Sequence, residues 1–452
     1  MNRVDRIKNI EKEIQIALRQ EDETPLDRKR FLWKGKIVSR KAYQISLSNL
    51  IYNKYNTRIG SKVKTYEAHK HPGQKINPEN PDHEKLLERF IEEKSPDRNN
   101  DTLTDINKNG QIQIAVVTKD GIIIDGNRRA MLIKKSQKDN YLLSVVLEEK
   151  YEDDPLAIMK LEASFQELED EKVAYDPIEK YLRIKEYRQQ HGLTLKEIVE
   201  LENGLKERDI KFNLDVMEMM DAYLRDTGSQ SAYTRLNNRE DAFRDLTRWV
   251  NSFNNNSKTG FDGFNRRDIS NLKSLCFDYI RSVYEKNPEH LNWKDLRVIA
   301  NGQQQNHLFG SKDLWNGFNS EHRKNIDPVI KQMEQEQEES KIQDSPEIEK
   351  ILNSQDQLFS NRSIAFLTNN FERYKQLLNN RKDDNKPNQL SEDILDKIKQ
   401  LEKSKKDDTV IEDLNESFDL ISDILQQKQS LLQKLDKIKN QLYSIPQDYG
   451  EN

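Results

Sequence analysis

The densest set of groups able to do chemistry is D-G-N-R-R-A at residues 125–130, directly after a short apolar run. A glycine after a strand lets the backbone approach a ligand with no Cβ in the way. The amides that open the following helix attract anions. Arg128 and Arg129 add two guanidinium forks that suit phosphate oxygens. Asn127 donates or accepts, and Asp125 can accept from a ribose hydroxyl or hold a metal. Together they read as an anion-binding turn for a nucleoside triphosphate or a nucleic-acid backbone. The plainer alternative is a surface turn with ordinary arginines.

The flanking pattern supplies a frame for this turn. Residues 111–118 (QIQIAVVT) predict a strand, Lys119-Asp120-Gly121 a turn, and 122–124 a second strand. A helix over 127–135 and a third strand over 142–147 complete a β-turn-β-α-β unit. Before it, 1–20 predicts an amphipathic helix with Val4, Ile7, Ile10 and Ile14 on one stripe, and 83–93 a second helix. Residues 95–109 read as a polar, mobile stretch. From Pro155 onward the pattern is helical: 156–168, 177–191, 195–201 and 214–225, with several more helices in 232–325 and a charged linker at 334–339. Ile411, Leu414, Phe418, Ile421, Leu425, Lys428, Leu432, Leu435, Lys439 and Leu442 form a heptad seam. A helical hairpin with Leu390, Ile394, Ile398 and Leu401, or a parallel dimer, fits that seam equally.

The chain has 452 residues, of which 34% are hydrophobic and 34% charged, which favours long exposed helices over one large core. Its net charge of −5 gives no global argument for nucleic acid. A single cysteine, Cys276, excludes an intrachain disulfide and thiolate clusters and reads as a buried small hydrophobe. No apolar run approaches the roughly 18 residues of a membrane span. With no signal-peptide pattern, the expectation is a cytoplasmic protein without membrane contact.

Charge is uneven along the chain. Residues 27–70 carry twelve Lys/Arg against Asp27 and Glu67. Arg28, Lys29, Arg30, Lys34, Lys36, Arg40 and Lys41 head this segment and are the candidate DNA contacts, with a solvated basic edge as the alternative. His69, His71 and His83 have no regular metal-site spacing. Arg235, Arg239, Arg244 and Arg248 fall along one helical face and can meet acidic helices.

The 125–130 stretch resembles the G-E-R-R-x-x-A box of ParB partition proteins, which share a fold with sulfiredoxins. Further segments agree in order. Ile45-Ser-Leu-Ser-Asn-Leu-Ile-Tyr-Asn53-Lys-Tyr-Asn-Thr-Arg58 is similar to the family's I-P-L-x-x-I-x-P-N-P-x-Q-P-R. The helix at 83–93 followed by 110–117 resembles its helix and G-x-x-x-P-I-x-V. Leu161-Glu-Ala-Ser-Phe-Gln166 with Tyr175-Asp-Pro-Ile-Glu179 resembles I-E-N-x-x-R…L-N-P-I-E, and 191–198 resembles the start of its helix-turn-helix. The resemblance spans about residues 40–225. It implies a fold that binds CTP with Mg²⁺ and clamps DNA. Gly126, Arg128 and Arg129 would hold the triphosphate, Arg58 would approach nucleotide or DNA, and Glu162 would sit near the metal. Ala163 and Gln166 replace the family's Asn and Arg, removing a metal-side ligand and a phosphate contact, so CTP hydrolysis does not carry over with them. Asn127 stands where sulfiredoxins need a cysteine, which excludes sulfinic acid reduction. Residues 151–225 carry 19 acidic and 11 basic side chains, and Asp215, Glu218 and Asp221 form an acidic stripe on the candidate recognition helix. Sequence-specific reading of DNA there is disfavoured, and a packing or partner-binding helix is the better expectation.

The expected fold is α+β. An N-terminal helix and basic extension (1–39) lead into a small ParB/sulfiredoxin-like nucleotide-binding domain (40–150). A helical domain with a degenerate helix-turn-helix (151–226), a further helical domain (227–333) and a C-terminal helical hairpin or coiled coil (340–445) follow. The expected function is nucleotide-dependent association with DNA in a partition-like or phage-defence machinery. The cofactor would be CTP or another nucleoside triphosphate with Mg²⁺, and the C-terminal helices would support a homodimer or partner-protein complex. An NTPase or a metal-dependent nuclease using Asp125, and a non-catalytic scaffold, remain alternatives.

Overall fold

The structure is a computed structural model. It describes residues 1–56, 58–69, 74–94, 96–136, 138–170, 177–202, 204–255, 258–282, 293–304, 306–339 and 348–403, with the short stretches 422–424, 426–430 and 432–433.

Helix α1 (Arg3–Arg19) starts at Asn2, whose side chain accepts from the Asp5 amide. Of the expected stripe, Ile10 is buried while Val4 is 61% exposed. Arg6 is buried instead, because its Nε donates to the Asp120 carbonyl at 2.6 Å and its Nη2 meets Glu79 at 2.9 Å. The expected basic extension is a β-ribbon. Strands β1 (Arg28–Trp33) and β2 (Lys36–Ser46) pair antiparallel across the two-residue turn Lys34-Gly35. Both turn residues have positive φ, 50° and 78°, the hairpin geometry that follows strand twist. Lys34 is held there by Glu149 and Asp154, each at 3.0 Å.

After β3 (Ile51–Tyr52) come α2 (Gly60–His69), α3 (Pro81–Lys94) and α4 (Pro96–Asn109). The stretch 96–109, expected to be mobile, is thus a helix anchored by buried Ile106. Strand β4 (Ala115–Val117), strand β5 (Ile122–Asp125), helix α5 (Asn127–Ser136) and strand β6 (Tyr141–Val146) form the expected unit around the 119–121 turn. The first strand is shorter than its 111–118 pattern. The Gln111 side chain donates to the Gln113 and Leu143 carbonyls and accepts from the Leu143 amide, taking the place of ladder bonds.

The six strands run β1-β2-β6-β4-β5-β3. The β6–β4 and β5–β3 pairs are parallel and the others antiparallel. Alternation along the strands divides the core, since successive residues face opposite sides. Ile45, Val117, Ile123 and Leu142 pack with residues of α1, α3 and α5. Phe31, Trp33, Val116, Ile124 and Val145 pack with Ile158 and Leu161 of α6 (Pro155–Asp170). Each such buried side chain contributes about 1.5–3 kcal/mol.

The rest is helical: α7 (Pro177–Gln189), α8 (Leu195–Leu201), α9 (Glu207–Asp226), α10 (Glu240–Asn254), α11 (Arg266–Ser282), α12 (Lys312–Glu339) and α13 (Ile348–Lys403). The expected linker at 334–339 is the end of α12. Residues of α7, α9, α10, α11, α12 and α13 share one core that includes Tyr223, Phe243, Phe277, Trp315, Phe318 and Phe371. The described residues of that core run from Ile178 to Leu378. Cys276 lies in that core, fully buried. The heptad seam lies almost entirely outside the described residues. No described helix is long and apolar enough to cross a membrane.

Candidate functional site

Strand β5 ends on Asp125 and α5 begins at Asn127, so Gly126 is the junction. Its φ is +108°, and a Cβ there would stand 2.8 Å from the Ala115 Cβ. The amides of the first α5 turn have no carbonyl partner within the helix. The expected site residues surround this junction in different roles. Lys29 of β1 meets Asp125 at 2.7 Å and donates to the Ile114 carbonyl at 2.6 Å. Arg129 meets the other Asp125 oxygen at 2.9 Å and also donates to the Gln113 carbonyl. Burial alone would raise the Asp125 carboxyl, but Arg129 and Lys29 outweigh it and hold the pKa below its ordinary value. Asp125 is thus an ionised carboxylate between two cations, and not a free acceptor for ribose or metal. Arg129 is tied into the same pairing. Arg128 remains half-buried, with its Nη2 donating to Thr102 of α4 at 3.3 Å.

Asn127 is buried and bonded on both sides of its amide. Its Oδ1 accepts from the Asn53 backbone amide at 3.0 Å, and its Nδ2 donates to the Ile123 carbonyl at 2.8 Å. Asn53 in turn donates from Nδ2 to Glu162 Oε2 of α6 at 3.0 Å, and its Oδ1 accepts from the Tyr55 amide at 3.0 Å. Three sequence segments therefore converge on one polar node. Asn127→Ala removes one acceptor and one donor from buried partners. It should cost about 1–3 kcal/mol, since stranding buried groups forfeits their desolvation energy. Denaturant unfolding of this variant against wild type checks it, and a loss below about 0.5 kcal/mol would refute the node.

A fourth segment arrives at the next element. Glu179 of α7 accepts from the Ser61 amide at 3.1 and 3.2 Å and from the Ser61 hydroxyl at 2.6 Å, closing the start of α2. Lys64 meets Glu186 at 2.5 Å, and the Thr234 amide donates to Thr65 at 3.2 Å, so α2 joins the sheet to the helical core. Arg58 stands just before α2, its amide bonded to Asn56 Oδ1 at 2.9 Å. Between α2 and α7 lies a cavity of about 180 Å³, beside a wider one of about 430 Å³. Lys54, Tyr55, Lys75 and Arg183 line the smaller. The Tyr55 ring, 52% exposed, stacks on Tyr151 at 5.2 Å and 17°. Burial lowers the Lys54 pKa; Glu67 opposes this and Lys75 adds to it. Residues 125–129 line neither cavity. Asn53 to Tyr55 connects the two places, a link that no motif spacing announced.

Four of the seven candidate DNA contacts are neutralised within the fold. Besides Lys29 and Lys34, Arg40 pairs with Glu148, and Lys41 with Glu21 at 2.5 Å. Arg28 bonds the neutral Ser39 through its hydroxyl and carbonyl at 3.1 and 2.9 Å. Arg30 and Lys36 are exposed, with no ion-pair partner among the described residues.

Helix α9 begins at Glu207, so the α8–α9 connection is shorter than the 202–212 read from sequence. Two members of its acidic stripe are used internally. Asp215 accepts from Asn251 at 2.9 Å and Asp221 meets Lys185 at 2.6 Å. Arg235 and Arg239 meet Asp356, Arg244 meets Glu240 and Arg248 meets Asp245, so these four arginines face acidic partners. Of the histidines, His71 lies outside the described residues, and His83 Nδ1 accepts from the Asn77 amide at 3.0 Å. Among the described residues no cluster of His, Cys, Asp or Glu is placed to hold a metal. Glu162, the expected metal neighbour, is 3% exposed and already accepts from Asn53. The donor set does not fit a metal ion held by the protein alone. No protein-family model matches the chain, and no curated protein sequence matches it.

Proposed function

We propose that the chain is a ParB-like nucleotide-binding protein that acts on DNA, in a partition-like or phage-defence role. The observation that carries this reading is the Asn53 node. The segments at 45–58, 125–130 and 161–166, whose order carries the resemblance, meet there through two 3.0 Å hydrogen bonds. The 175–179 segment reaches the same region through Glu179 on Ser61. The chemistry nearby suits a nucleotide. Arg128 and the opening amides of α5 offer donors to phosphate. The Lys54–Lys75 side of the cavity offers cations, and exposed Tyr55 offers a ring face to a base. The larger groove falls within the roughly 300–1,000 Å³ of small-molecule sites. Mg²⁺ is assigned no protein ligand set, and no hydrolytic step is assigned.

Calorimetric titration of the full chain with CTP, ATP and GTP, with and without Mg²⁺, tests the reading. One nucleotide should bind, and Arg128→Ala should weaken it roughly tenfold or more, since a charge-assisted hydrogen bond is worth about 1.5–3 kcal/mol. Absence of binding by all three, or unchanged affinity in both Arg128→Ala and Lys54→Ala, would overturn it.

A further inference from the structure

Of the seven basic residues on the β1–β2 ribbon, four meet carboxylates of the fold, and Arg28, Arg30 and Lys36 are exposed with no ion-pair partner among the described residues. Cross-strand partners share a face, so the register Arg28↔Lys41, Arg30↔Ser39 and Leu32↔Ile37 defines one side of the ribbon. The opposite side, with Phe31 and Trp33, is buried against α6, where Phe31 meets Phe165 at a ring distance of 6.0 Å. The outer side is open: Arg28, Arg30, Leu32, Ile37 and Ser39 are all exposed. Leu32 is 50% and Ile37 70% exposed, an apolar pair at the tip beside Lys36. The positive-φ turn and the two Lys34 ion pairs hold that tip in place without using the outer cations.

We infer that this outer face is the DNA-contacting surface of the chain, with duplex DNA as its partner. Arg28 and Arg30 of that face take backbone phosphates, Lys36, exposed beside the turn but in register with Trp33 of the other face, reaches a phosphate from the edge of the tip, and Leu32 and Ile37 enter the groove. Three uncompensated cations on a rigid two-stranded ribbon are the charge complement of a phosphate backbone. An exposed apolar pair at a ribbon tip matches the side chains that wedge against bases in a minor groove. The α8–α9 pair is the less suitable surface, because its segment is acidic and α9 buries Ile210, Val216, Met217 and Met220. The inference rests on the proposed association with DNA and names its surface.

The test is fluorescence anisotropy of the full chain on a labelled 20–30 base-pair duplex across a salt series. The triple variant Arg28→Gln/Arg30→Gln/Lys36→Gln should lose at least tenfold in affinity, and its log-log salt slope should fall by about 2–3. Lys196→Gln/Arg208→Gln/Lys211→Gln on α8 and α9 removes the same charge and should change binding less. Leu32→Ser/Ile37→Ser should weaken binding with an unchanged salt slope. Thermal melts of each variant should stay near wild type, because these side chains are exposed. Wild-type affinity and slope in the ribbon triple variant would overturn the ribbon while leaving DNA association standing. A larger loss in the α8–α9 variant would assign the contact there instead. No binding by wild type at about 50 mM salt would overturn both, whatever the nucleotide titration shows. Binding to anionic vesicles but not to duplex, lost in the ribbon variant, would replace DNA with a lipid surface.

Discussion

Asp356→Ala should be the most destabilising single change in the helical region, costing about 3–5 kcal/mol. Its carboxylate, on α13, is met by three guanidinium groups. Arg235 reaches it through Nε at 3.0 and 3.1 Å and through Nη2, Arg239 through Nη2 at 2.8 Å, and Arg281 through Nε at 3.1 Å. All four side chains are at most 8% exposed. Removing the carboxylate leaves three like charges in a dry region, and breaking a buried pair from one side costs far more than the pair was worth. The arginines have only partial alternatives. Arg235 also donates to Ser229 at 2.6 Å, and Arg281 lies 4.3 Å from the Phe359 ring centre. Burial and the neighbouring Arg235 already lower the Arg281 pKa. The melting temperature should fall by on the order of 10 °C for a helical region of this size. Asp356→Asn, which keeps an acceptor of the same shape, should fall less. A melt within about 2 °C of wild type for the alanine variant would show that the cluster relaxes at little cost.

The same carboxylate sets a pH signature. Burial would raise it, but hydrogen bonding from Arg235 and the charges of Arg239, Arg235 and Arg281 bring it down to about 2. An unfolded aspartate titrates near 3.9, so the folded state holds the proton less tightly. Its contribution is complete above about pH 5 and is lost as pH falls from about 4 through 2. The separation corresponds to roughly 2–3 kcal/mol. Wild type should therefore lose stability more steeply than Asp356→Asn across that window. Parallel acid titrations would refute the assignment.

The parts of this architecture that were legible in the sequence are local ones. The 119–121 turn, the β5–α5 junction at Gly126 and helix α8 follow from short-range turn chemistry, strand pattern and capping, and the structure places them where those signals stand. Thr194 shows the last of these, with Glu197 completing a capping box. What escaped depends on partners far along the chain. The β1–β2 ribbon was hidden because seven cations are interspersed among its apolar residues. The alternation of Phe31 and Trp33 before Lys34-Gly35 was the available signal, and the charge count masked it. The use of Asp125 and Arg129 as an internal pair depends on Lys29, 96 residues away. Motif reasoning assigns side-chain types to a ligand, and the fold had already given two of them to each other. The Asp356 cluster spans separations of 75 to 121 residues, which no window of periodicity can reveal.

Gly126→Ala should destabilise the sheet domain by roughly 2–6 kcal/mol and should also abolish nucleotide binding if the α5 amides hold phosphate. Two independent costs add. A φ of +108° lies where L-residues are strained by about 1–3 kcal/mol. The new methyl would also stand 2.8 Å from the Ala115 Cβ and 3.6 Å from its Cα. Ala115 is fully buried in β4 and cannot turn aside, so overpacking adds about 1–3 kcal/mol. The two costs can be separated experimentally. Ala115→Gly removes the steric neighbour at its own cost, and in the double variant the clash is absent while the backbone strain remains. A double-mutant cycle by denaturant unfolding should therefore show favourable coupling of about 1–3 kcal/mol between the substitutions. Zero coupling would mean that the β5–α5 junction and β4 shift apart to admit the methyl. The junction would then be too soft to hold amides in a fixed geometry, and a phosphate cradle would have to be sought along the α2–α7 groove instead.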